Sequence, residues 1–134
     1  MKPFKVLILF LFSSIFSFAQ VQKEDIDIFN EKVQEYIYTN LDTAYYFANK
    51  ALVESRNINY KKGEMQAQFQ IGRIYLDQAR RVLALEAGKQ SLKIAENIDN
   101  YEGKKDASNL IVKIYNHSDK IDDGLQVSRK ILNL

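Results

Sequence analysis

The sequence predicts an all-α protein, an α-solenoid of about three antiparallel helix pairs. Three observations carry that expectation. The 134 residues include one Pro and five Gly, too few to punctuate the many turns of a sandwich or barrel. Apolar residues recur at three- and four-residue spacing along most of the chain. The pattern then repeats at a 40-residue interval: Ile71, Ile74 and Tyr75 recur as Ile111, Ile114 and Tyr115, and Leu85 and Leu92 as Leu125 and Leu132. In the other direction Ala84 and Leu92 are preceded by Ala44 and Leu52. A fixed period of this size marks one supersecondary unit used several times.

Residues 1–19 have the layout of a secretory leader. Lys2 and Lys5 form a positive start, Val6–Phe12 an unbroken apolar run, and Ser17-Phe18-Ala19 puts small residues at −3 and −1 of a cleavage after Ala19. The apolar core falls short of the ~20 residues that span a bilayer. Cleavage is favoured over retention as an anchor. It would leave a secreted or periplasmic chain from Gln20 to Leu134, with units of about 21–58, 59–99 and 100–134.

Six helices are expected in that chain. Val21–Tyr38 places Ile26, Phe29, Val33, Tyr36 and Ile37 on one face, with Glu24, Asp25 and Asp27 at the positive end of the helix dipole. Thr43–Arg56 follows, with Asp42 as its expected N-cap and Ala44, Phe47, Ala48, Ala51 and Leu52 as its packing stripe. Tyr60–Gln78 carries Met65, Gln68, Ile71, Gly72 and Tyr75 on one side. Gly72 inside a helix costs ~1 kcal/mol relative to Ala, which points to close backbone approach. Arg81–Ile98 turns Ala84, Leu85, Gly88, Leu92 and Ala95 inward, and Tyr101–His117 does the same with Ala107, Leu110, Ile111, Ile114 and Tyr115. The last helix runs from Lys120 or Ile121 to about Leu132.

Composition narrows the function classes. There are 19 basic and 17 acidic residues, and removal of Lys2 and Lys5 with the leader balances them. A neutral chain of interspersed signs lacks the electrostatic footprint of a nucleic-acid or anionic-membrane binder. No Cys is present, so disulfides and thiolate metal sites are excluded. His117 is the single histidine, and no phosphate loop or nucleophile elbow occurs. Carboxylates lie among Lys and Arg at helical spacing, the mark of a solvated face. No catalytic residue, cofactor or metal is expected.

Ile71-Gly72-x-x-Tyr75, Ala84 nine residues beyond Tyr75, Gly88 and Ser91-Leu92 resemble the tetratricopeptide repeat, in which small and aromatic residues recur at these places in a helix pair. Asp42–Leu52 and Ser91–Ile98 resemble second helices of such units. The period is 40 where the standard repeat has 34, and on period alone HEAT or armadillo repeats also fit. The first helix departs most: Glu31, Lys32 and Glu35 stand forty residues before Ile71, Gly72 and Tyr75, and a turn two residues shorter would align Val33 and Ile37 instead. The resemblance implies a right-handed superhelical stack and a binding groove lined by the first helix of each pair. With Gly72 as the first small position, the groove-facing places are Gln66, Phe69, Arg73, Leu76 and Asp77 in the second unit, and Asp106, Asn109, Lys113, Asn116 and His117 in the third. Arg73 and Lys113 occupy equivalent places, and a basic residue beside an Asn suits a peptide carboxylate.

The expected function is therefore non-enzymatic: a peptide- or protein-binding module outside the cytoplasm, with no nucleic-acid partner and no membrane contact after cleavage. The alternative is the sensor part of a bacterial histidine kinase or helix-turn-helix regulator whose output part is absent. Ile121, Leu125, Ile131, Leu132 and Leu134 exceed what one preceding helix pair covers, so self-association through the uncapped last helix is a further expectation.

Overall fold

The computed structural model describes residues 22–116, which form five α-helices and no strand. Helix α1 spans 22–36. It is followed by α2 (Leu41–Asn57), α3 (Lys61–Asp77), α4 (Arg81–Asn97) and α5 (Tyr101–Asn116). Consecutive helices pack on one another, and α3 also reaches α5, the arrangement of a solenoid. The expected leader, the expected sixth helix with its self-association surface, and His117 lie outside the described residues.

The 40-residue recurrence divides into two steps of 20. Helices α2, α3 and α4 are each 17 residues long, and each pair of neighbours is joined by three residues. The middle residue of every such turn is left-handed: Asn59 (φ 55°), Ala79 (58°) and Asp99 (51°). The hydrogen bonds repeat as well. Tyr60 N–H donates to Ser55 O at 2.7 Å, Arg80 to Tyr75 O at 2.8 Å and Asn100 to Ala95 O at 2.9 Å. Shorter loops from Asn59, Ala79 and Asp99 to Arg56 O, Leu76 O and Glu96 O complete three Schellman motifs, which satisfy carbonyls the helix end leaves open.

The turn between α1 and α2 is different. Thr39, β-branched and costly in the left-handed region, has no positive φ. Instead Thr39 N–H (3.0 Å) and Asn40 N–H (2.7 Å) both donate to Tyr36 O. Burial in α1 falls on Ile26, Asn30, Val33 and Ile37, and in α3 on Glu64, Gln68, Ile71 and the half-buried Tyr75, an offset of 38. Since α2 and α4 start 40 residues apart, two residues are missing between the buried face of α1 and the start of α2: α1 ends at residue 36, short of where α3 would map, and four residues, 37–40, lead into α2. The alignment of Val33 and Ile37 with Ile71 and Tyr75 is the one observed, but it comes from an earlier end of α1 and not from a shorter turn. The expected N-cap of α2 is corrected: Asn40 caps it, its Oδ1 accepting from Thr43 N–H at 3.0 Å, while Asp42 sits in the first turn.

Buried positions follow the repeat closely. Gly63, Ala67, Gln68, Leu110's counterpart Gln70, Ile71 and Ile74 of α3 are buried, and so are the α5 residues 40 positions later. Ala44, Ala48, Ala51 and Ser55 of α2 match Ala84, Gly88, Ser91 and Ala95 of α4 in the same way. Small residues on α2 and α4 let the first helix of the next unit approach, and the larger Ile26, Val33, Ile71, Ile74, Ile111 and Ile114 fill the space beside them. At the N-terminal end, Phe47 stacks against Phe29 (centroids 6.3 Å) and Tyr36 (5.9 Å). Lys50 lies 4.4 Å above the Phe29 ring and Lys32 5.5 Å above Phe47, so lysine stems cover the aromatic end of the stack.

Candidate functional site

Helices α1, α3 and α5 run in the same direction, and side chains from all three line one shared face. Their register is set by cross-helix hydrogen bonds. Tyr60 OH, at the start of α3, donates to both carboxylate oxygens of Asp27 (3.1 and 3.2 Å), and Asn30 Nδ2 donates to Gly63 O at 3.4 Å. One turn before the end of α3, Arg73 reaches back to Gln34 and Tyr38. Burial, with the Asp27 charge and hydrogen bond, pushes the Tyr60 phenol up to about 12, so it remains a donor at any physiological pH.

A cleft of about 230 Å³ opens over the C-terminal halves of these helices, lined by Tyr38, Phe69, Arg73, Leu76, Asp77, Asp106, Asn109, Leu110 and Lys113. Of the groove positions expected from the sequence, Phe69, Arg73, Leu76, Asp77, Asp106, Asn109 and Lys113 meet here. Gln66 is one turn away, in an adjoining cleft that shares Phe69 and Asp106. Asn116, the exposed last residue of α5, lines neither cleft.

Arg73 is the most tightly positioned group in the cleft. Its Nη1 donates to Gln34 Oε1 at 3.0 Å and Gln70 Oε1 at 3.1 Å, and its Nη2 donates to Tyr38 OH at 3.1 Å. The guanidinium also lies 5.8 Å from the Phe69 ring centroid. All three acceptors are neutral, so the geometry is fixed while the charge keeps no contact ion pair. An oriented guanidinium with no contact ion pair, sharing its cleft with Asp77 and Asp106, is suited to a carboxylate. Asp106 faces the same space. It is exposed by area, but the cleft walls desolvate it in part, and Glu102 one turn earlier adds a like charge. Both raise its carboxyl above the ordinary range, against the lowering effect of Lys105 and Arg73.

Sequence reasoning put the first helix of each pair on this face but named no residue of α1, where a strict 40-residue offset fails. With the two-residue correction, Glu31 and Tyr38 stand at the places of Phe69 and Leu76. Asp27, Asn30 and Gln34 join them through the cross-helix bonds and the cleft walls. Among the described residues, no group of His, Cys, Asp or Glu is placed to hold a metal ion, and no helix is long and apolar enough to cross a membrane.

No protein-family model matches the chain, and no curated protein or solved structure does either.

Proposed function

We propose that this chain is a non-enzymatic binding module, a tetratricopeptide-type repeat protein that holds a peptide or protein segment on the face formed by α1, α3 and α5. The observation that carries this reading is Arg73: a cation oriented by three neutral acceptors, in a cleft that it shares with Lys113, Asn109 and the Phe69 ring. A carboxylate on the ligand would meet Arg73 and Lys113, and Phe69 and Leu76 would pack against an apolar neighbour. The secretory layout of residues 1–19 supports action outside the cytoplasm.

The test is an affinity capture with the full chain, comparing wild type with Arg73→Ala/Lys113→Ala. Partners held by wild type and lost by the double variant support the reading. Capture of the same partners by both, with both folded by circular dichroism, places binding elsewhere and sinks it.

A further inference from the structure

Arg73 is held unlike the ion-paired cations among the described residues. Arg56 and Lys61 meet Glu64, Lys104 meets Asp99 and Lys105 meets Glu102. Arg73 meets two amides and a phenol. Gln34 stands at an exposed position of α1, where glutamate would have the same length and shape. A hydrogen bond from the guanidinium to that glutamate would be charge-assisted and roughly twice as strong. Stability alone favours the carboxylate, so the neutral acceptor is a feature the fold does not explain.

The donor inventory shows what this arrangement leaves. A guanidinium has five N–H groups, two on each Nη and one on Nε. Nη1 spends its two on Gln34 Oε1 (3.0 Å) and Gln70 Oε1 (3.1 Å), and Nη2 spends one on Tyr38 OH (3.1 Å). One Nη2 hydrogen and Nε–H are left. A carboxylate takes two parallel bonds from a guanidinium either at Nη1 with Nη2 or at Nε with Nη2. With Nη1 saturated, the Nε–Nη2 edge is the one that offers a fork. The charges around it select among anions. The cleft sets Arg73 and Lys113 against Asp77 and Asp106. A carboxylate brings one negative charge, whereas a phosphoryl group brings about 1.5 to 2 and meets more repulsion from the two aspartates.

Resting on the peptide-binding reading above, we propose that Gln34, Gln70 and Tyr38 are positioning residues: they aim Arg73 without neutralising it, and they leave its Nε–Nη2 edge for a monoanionic carboxylate of the ligand. A glutamate or aspartate side chain and a peptide chain end present the same two coplanar oxygens to that edge.

The test uses the full chain and four random hexapeptide libraries, N-acetylated and free of Asp and Glu at the random positions, with binding read by fluorescence anisotropy at low salt. Three are C-amidated and fix position 4 as Glu, Gln or phosphoserine. The fourth has Gln there and a free C-terminal carboxylate. Wild type binds the Glu library, the free-end library or both at least about 10-fold more tightly than the Gln and phosphoserine libraries. Whichever of the two binds more tightly tells side chain from chain end. Three variants then separate aim from charge. Gln34→Glu keeps the hydrogen bond and cancels the charge, Gln34→Leu keeps the charge and loses the aim, and Arg73→Lys keeps the charge without a fork. Each lowers carboxylate binding by about 10-fold, while Gln34→Glu melts at or above the wild-type Tm. Carboxylate binding at the wild-type level in any of the three overturns the assignment, as does a lower Tm in Gln34→Glu. A wild-type preference for phosphoserine, or none for carboxylate, overturns it too. The peptide-binding reading is decided separately by capture with Arg73→Ala/Lys113→Ala: partners lost there leave it standing without this assignment, and partners kept there overturn both.

Discussion

A methyl group on Gly63 would stand 2.6 Å from Ser55 Oγ, so the first turn of α3 rests directly on the end of α2. The relationship recurs one unit later, where a methyl on Gly103 would stand 3.1 Å from Ala95 Cβ and collide with the Met65 thioether. Gly63 and Gly103 are 40 residues apart, as are Ser55 and Ala95. This glycine-on-small contact joins each helix pair to the next.

Gly63→Ala should destabilise the fold. Alanine gains ~1 kcal/mol of helix propensity. The added methyl also meets Tyr60 Cδ1 at 2.6 Å and Ile26 Cγ2 at 2.8 Å, and Ile26 and Ser55 are fully buried and have nowhere to move. Overpacking of this kind costs about 1–3 kcal/mol, so the net effect is a loss of about 1 kcal/mol, a fall in Tm of about 4–8 °C for a domain of this size. A Tm equal to or above wild type in a thermal melt would contradict the packing account.

Ala79→Gly should have the opposite sign. Ala79 holds φ 58°, a conformation that costs a residue with a Cβ about 1–2 kcal/mol and glycine almost nothing. Glycine there is expected to raise stability by about 1 kcal/mol in urea titration, after its greater unfolded-state entropy is set against the relief. Asn59→Gly, at the equivalent turn, should change little, because asparagine tolerates the left-handed region. Equal gains at both sites would mean that the Cβ is not what strains Ala79.

Glu64 should contribute to acid sensitivity. Burial pushes its carboxyl up, but hydrogen bonds from Lys61 and Arg56 (both 2.9 Å) and their charges outweigh burial and hold it below the ordinary range. A depressed carboxyl stabilises the fold above the unfolded-state value and loses that contribution as pH falls through its folded value. Both basic partners are half exposed, so each pair is worth less than about 1 kcal/mol. Urea midpoints measured from pH 7 to pH 3 should fall less steeply for Glu64→Gln than for wild type. Parallel curves would remove Glu64 from the acid limb.

Asp106 should behave in the reverse way. Its carboxyl is raised by partial desolvation and by Glu102, so its ionisation costs stability above the folded value and the cost disappears as pH falls through it. Asp106→Asn is therefore expected to equal or slightly exceed wild type in stability at pH 7. Loss of stability at pH 7 would mean that Asp106 serves the fold and not a ligand.

The helical faces were legible in the sequence because they depend on local spacing. Ile26, Val33, Ile71, Ile74, Ile111 and Ile114 are buried where their three- and four-residue periodicity puts them, and Gly72 sits against Leu110, Ala84 and Gly88, as a helix glycine kept for close approach should. The cap of α2 was misread because Asn40 and Asp42 are both good cap residues two positions apart, and composition does not choose between them. The 20-residue step was hidden because Asn59, Ala79 and Asp99 share a backbone conformation and not a side-chain type.

The sequence by itself determined that this protein is all-helical and that its unit recurs every 40 residues. Each of these depends on spacing within a helix or on the repeat. Only the tertiary structure decided which residues of α1 and its C-terminal turn join the face of α3 and α5. The earlier end of α1 shifts its register by two residues, and this shift goes with Gln34 and Tyr38 on Arg73 and Asn30 on Gly63. Contacts between residues 33 to 39 positions apart depend on how the turn closes, and a turn closes through backbone angles and hydrogen bonds that no periodicity of side chains encodes.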